Sequence, residues 1–114
     1  MSAVVFKANS YYLRFWQSGS IQYKGKSLKI HAVVILRGTY ANQQYELLVY
    51  FMKEGNDCPD AIYRPNQKKG YIYLPFKEMS TFMNFLHKDL MINIAFNPSD
   101  TSQIELFSDD KIIQ

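Results

Sequence analysis

His31, Cys58 and His87 are the side chains of this 114-residue sequence best suited to bind a metal or to act as nucleophile and base. Metal binding needs three or four ligands at workable spacing, and these three are scattered. His31 sits in an apolar stretch. His87 falls near a predicted helix end, where an imidazolium favours the helix dipole. Cys58 precedes Pro59, and no Cys–His signature surrounds it. No G-x-S-x-G elbow, phosphate-cradling glycine loop or dinucleotide fingerprint occurs either. The sequence therefore names no catalytic residue, no metal ligand and no cofactor, and the expectation is a non-enzymatic protein.

Cations interleaved with rings form a stronger pattern. Residues 1–45 carry six basic side chains (Lys7, Arg14, Lys24, Lys26, Lys29, Arg37) and no acidic one; all ten carboxylates fall between Glu46 and Asp110. The net charge of +3 hides this asymmetry. Aromatics make up 16% of the chain, nine of them Tyr. A nucleic-acid backbone demands Lys or Arg, and unpaired bases offer flat faces for rings. On a strand, Tyr12, Arg14 and Trp16 share one face, while Tyr11, Leu13 and Phe15 share the other. The first set would make a stacking platform beside a charge. Tyr23, Lys24, Lys26 and Lys29 follow, and the stretch from Arg64 to Gly70 adds Arg64, Lys68 and Lys69. The bland alternative is that Trp16 and Tyr12 face a second apolar layer and the lysines only solvate strand edges.

These side chains need a sheet to hold them. Ser18-Gly19-Ser20 reads as a turn and Lys24-Gly25-Lys26 as a tight reversal. Ser27 to Arg37 reads as a strand ended by Gly38, its aliphatic centre covered on both faces. After a turn at Ala41-Asn42-Gln43, residues 44–53 alternate Tyr45, Leu47, Val49 and Phe51 against a wetter face that starts at Glu46. Residues 54–70 read as a long loop with a short extended piece at Ala61-Ile62-Tyr63. Tyr71 to Leu74 is a short strand. Pro75 suits a helix start, and Phe76, Met79, Phe82, Met83 and Leu86 recur at helical spacing, predicting a helix over 76–88. Leu90 to Phe96 and Gln103 to Phe107 predict two strands separated by a turn at Asn97-Pro98. The expected fold is one α+β domain: a mostly antiparallel sheet or partly open barrel of five to seven strands with one helix.

Residues 45–88 run strand, charged loop, Lys68-Lys69-Gly70, short strand, then helix. This order resembles the strand-rich, single-helix repeat of the positive-cofactor and Whirly type of single-stranded-DNA-binding transcriptional proteins. The resemblance implies Lys68 and Lys69 as backbone contacts, usually on a dimer. The two strands predicted after the helix depart from that pattern.

The expected activity is non-catalytic binding of single-stranded nucleic acid. Tyr12, Trp16 and Tyr23 would stack on bases, and Arg14, Lys24, Lys26, Lys29, Lys68 and Lys69 would neutralise phosphates. The alternative is a protein-interaction or regulatory module, an inhibitor or adaptor, whose aromatic surface meets an acidic protein partner or forms a homodimer. No apolar run reaches the ~20 residues of a membrane span. A lone cysteine and an N-terminus unlike a secretory signal favour a cytoplasmic or nucleoid setting over secretion.

Overall fold

A computed structural model describes residues 3–86 and 92–108. Seven strands form one mixed sheet curled into a half-barrel: β1 (Val4–Tyr23), β2 (Lys26–Tyr40), β3 (Gln43–Met52), β4 (Ile62–Arg64), β5 (Lys69–Pro75), β6 (Ile92–Phe96) and β7 (Ile104–Ser108). Their spatial order is β4-β5-β3-β2-β1-β6-β7. Every pairing is antiparallel except that of β3 with β5, which is parallel. The sheet is therefore mixed rather than purely antiparallel. The connection from β3 doubles back through β4 before entering β5, and that detour makes the parallel pairing reachable.

The first two hairpins have short turns of the left-handed kind that matches strand twist. Lys24 and Gly25 take φ of 47° and 78°, and Ala41 and Asn42 take 51° and 64°. Ser18-Gly19-Ser20, read as a turn, instead lies within one 20-residue strand. Phe15 faces Ala32 and Gly19 faces Ile30, so residues 16–18 bulge opposite His31 alone. The extra residues bend the strand without ending it. A second irregularity at Asn9 divides the same strand. Before it Val4 and Phe6 point inward; after it the inward set is Tyr11, Leu13 and Phe15, opposite Leu36, Val34 and Ala32.

The core fills the inside of the curl. Ala32, Val34, Leu36, Leu47, Val49, Phe51, Ile94 and Phe96 are all fully buried there. Above them lie a 3-10 turn (Phe76–Glu78) and helix α1 (Met79–Leu86), so the helix forecast over 76–88 begins as a tighter turn. Residues 87 and 88, with His87, lie outside the described residues, as do Leu90 and the polar tail from Asp109. Pro75 precedes the turn in extended conformation, φ −61° and ψ 146°. Phe82 meets Phe51 edge-on at 5.6 Å. Phe76 has left the helical stripe and packs against His31 at 4.6 Å.

One end of the half-barrel is drawn shut. The Tyr63 N–H donates to the Thr101 carbonyl at 2.7 Å, and the Tyr63 ring stacks on Phe96 at 4.4 Å. These contacts join the β4 edge to the β6–β7 hairpin. Gly70, opposite Tyr63, makes the approach possible, because a Cβ there would collide with the Phe96 ring. Among the described residues, no helix is long and apolar enough to cross a membrane.

Candidate nucleic-acid interface

The outer face of the sheet is built in rows of directly opposed residues, which necessarily share a face. One row runs Ser10, Arg37, Glu46, Lys69, Arg64 from β1 to β4. The next runs Tyr12, Ile35, Leu48, Tyr71, Ile62, and a third runs Arg14, Val33, Tyr50, Tyr73. The floor is apolar: Ile30, Val33, Ile35 and Met52 are buried here, outside the inner core. The anticipated second apolar layer thus exists, and the rings and cations form its roof.

The β1–β2 hairpin curls over this face. Its bulge turns Ile21 and Tyr23 outward, and the Tyr23 ring meets Tyr73 edge-on at 5.8 Å. Tyr73 in turn stacks on Tyr50 at 5.7 Å, 13° from parallel. The result is a trough lined by Tyr23, Lys24, Tyr50, Arg64, Gln67, Tyr71 and Tyr73. Burial pushes the Tyr50 and Tyr73 phenols up from their ordinary value, reinforced by neighbouring tyrosines. The Tyr71 hydroxyl donates to Gln67 at 2.9 Å.

Gln67 also borders a second concavity, lined by Arg37, Gln44, Glu46, Lys68 and Lys69. Here Glu46 is shared. Its carboxylate accepts from Arg37 Nε and lies 3.6 Å from Lys69 Nζ. That ion pair raises the Arg37 pKa above its ordinary value. The guanidinium also donates to the Tyr12 hydroxyl at 3.2 Å and lies 4.9 Å over the Tyr12 ring. Glu46 is the only carboxylate on the outer face of β4, β5, β3, β2 and residues 10–16 of β1.

The structure brings Tyr12, Arg14, Trp16, Tyr23 and Lys24 to this one face. Each ring already has a cation beside it: Arg14 lies 5.2 Å over Trp16 and Lys24 5.4 Å over Tyr23. Trp16 is half-buried beside Gly19, so it offers a ligand less surface than a free platform would. Lys26 faces Tyr23 at the hairpin tip. Lys68 sits at a left-handed turn position, φ 56°, its carbonyl accepting from the Glu46 N–H at 3.1 Å. Lys69 is partly committed to Glu46. Lys29 is not brought to this face. It opposes Ser20 and alternates with Leu28 and Ile30, which point outward after the bulge. The irregularity of β2 at His31, one extra residue between the pairs Ile30–Met52 and Ala32–Phe51, reverses the phase and carries it to the other side. Arg37 and Arg64 belonged to the basic cluster read from the sequence but carried no assigned phosphate contact, and Tyr50, Tyr71 and Tyr73 were not among the expected site residues. The spacing of Tyr71 and Tyr73 was visible, but their face follows from the parallel register with β3.

The remaining reactive groups lie elsewhere. His31 and Cys58 border one cleft beside Phe76, although distant in sequence. Burial raises the Cys58 pKa, with Asp57 adding to the shift. A nucleophilic cysteine needs the opposite displacement.

The described residues thus form a seven-stranded half-barrel with one helix inside and a basic, tyrosine-rich trough outside. No known protein family, curated protein or solved structure matches the chain.

Proposed function

We propose that the protein binds single-stranded nucleic acid along its outer face without catalysing a reaction. The observation that carries this reading is that the single carboxylate of the face is already neutralised by Arg37 and Lys69. Among the described residues Arg14, Lys24, Arg64 and Lys68 pair with no carboxylate, and they lie around the tyrosine trough. A phosphodiester backbone needs such a row of cations, and the rings between them suit unstacked bases. A duplex presents its bases edge-on within a stack, so rings arranged in this way favour the single strand.

Fluorescence anisotropy of a labelled oligonucleotide across a salt series tests the proposal. With four cations engaged at roughly 0.7 counterions each, log affinity is expected to fall with log salt at a slope of about −3. Absence of binding at low salt overturns the reading.

A second reading, docking of a protein, draws on a different part of the molecule. Leu13 is 42% and Phe15 60% exposed on the inner side of β1, next to Phe76. Apolar exposure of this kind suits a polypeptide rather than a polyanion.

A further inference from the structure

Gln67 lines both the tyrosine trough and the basic concavity beside it, so a base and its phosphate would meet around this residue. The chain holds it firmly. The Gln67 N–H donates to the Arg64 carbonyl at 3.1 Å, closing a turn with Pro65 at its second position, where the fixed φ of proline suits the chain. The next residue, Lys68, is tied to β3 by the Glu46 N–H. The Gln67 side-chain carbonyl accepts from the Tyr71 hydroxyl at 2.9 Å. That bond sets the sense of the amide: its oxygen turns to Tyr71, and its NH2 group is left to donate. Lys24 and Arg64, which also line the trough, carry donors only. Tyrosine hydroxyls and the exposed Gln22 can turn to either sense. The side chains of fixed sense around the trough are thus all donors.

We propose that the trough selects bases that carry a ring carbonyl where others carry an amino group, and that Gln67 is the residue that reads them. This rests on the single-strand reading of the outer face and narrows it to strands containing uracil, thymine or guanine. The O4 of uracil or thymine, or the O6 of guanine, accepts from the Gln67 NH2 group. The amino group of cytosine or adenine at the corresponding position sets donor against donor. Both groups then lose water without gaining a partner, and that loss is the source of the discrimination. The trough holds about 240 Å³, below the roughly 300–1,000 Å³ of a pocket that encloses a whole small ligand. It therefore suits one base of a strand, with the backbone passing Gln67 toward Lys68 and Lys69.

Uracil and cytosine share ring size and backbone and differ only at C4 and N3. Labelled deoxyuridine and deoxycytidine homopolymers of equal length therefore isolate the exchange, in mildly alkaline low-salt buffer that keeps cytosine unprotonated. Anisotropy is expected to show the deoxyuridine strand bound about tenfold more tightly. Gln67 is exposed, so Gln67→Ala leaves the fold intact. It is expected to abolish the preference while keeping the salt slope, because no cation is lost. Tyr71→Phe retains the ring but frees the amide to present its oxygen, and is expected to erase most of the preference. Binding of neither homopolymer overturns the proposed function, and this inference with it. Equal binding of both, or tighter binding of deoxycytidine, overturns this inference alone. A preference that survives Gln67→Ala overturns the assignment to Gln67, and one that survives Tyr71→Phe overturns the orienting role of Tyr71.

Discussion

The same strands, β2, β3 and β5, present two unlike faces. Inward they show Val34, Leu36, Leu47, Val49 and Phe51, all sealed beneath α1. Outward they show a narrower aliphatic floor, then half-buried tyrosines, then cations. The inner face has many apolar neighbours for each side chain, so its burial stabilises the fold. The outer face holds its rings by contact with one another and with guanidinium or ammonium groups, which leaves their remaining surface available. Stability and recognition are therefore divided between opposite sides of one sheet, and substitutions on the two sides should have separable consequences.

The largest effect belongs to a matched pair of truncations. Phe51→Ala removes a fully buried ring that contacts Phe82, and is expected to destabilise the fold by about 3–5 kcal/mol. Tyr71→Ala removes a half-buried outer ring. It is expected to cost about 1 kcal/mol of stability but about 1–3 kcal/mol of oligonucleotide affinity. Urea titration and anisotropy measure the two quantities. If Tyr71→Ala unfolds the protein as Phe51→Ala does, the outer face is a second core and the division fails.

A smaller effect sharpens the electrostatic side. Glu46→Gln releases Arg37 and Lys69 from their shared carboxylate. These cations are about two-fifths exposed, so solvent screens the lost ion pairs and the loss of stability should be small. Oligonucleotide affinity at low salt is expected to rise, and the salt dependence to steepen by about 0.7 for each cation that engages a phosphate. Weaker binding by this variant would mean that Glu46 orients the two cations and that their pairing is part of the site.

Much of this layout was legible in the residues. Alternation placed Tyr45, Leu47, Val49 and Phe51 together, and the aliphatic run through Val33 to Leu36 announced burial on both faces. The common face of Tyr12, Arg14 and Trp16 followed from strand periodicity alone. What sequence periodicity could not carry was any change of phase. Two irregularities in β1 exchange its inward and outward residues, and local composition does not mark them; the serines and glycine at 18–20 suggested a turn instead. The fate of Lys29 turned on another, at His31 of β2, where one extra residue faces β3. The parallel pairing of β3 with β5, which aligns Tyr50 with Tyr73 and Glu46 with Lys69, depends on contacts far apart in the chain. No local signal specifies it.

The smallest expected effect appears only in alkali. The Tyr50 and Tyr73 phenols are pushed up by burial from an unperturbed value of 10.0. In the folded protein they keep their protons at pH values where the unfolded chain has begun to release them. The stabilisation they contribute is therefore fully present below about pH 10 and is lost as the pH rises through the folded-state values. Stability measured by urea titration from pH 8 upward should be flat at first and then decline. In a Tyr50→Phe/Tyr73→Phe double variant the decline should be shallower, because phenylalanine has no proton to release. An unchanged slope in the double variant would mean that water reaches both hydroxyls and that the trough is more open than its packed rings indicate.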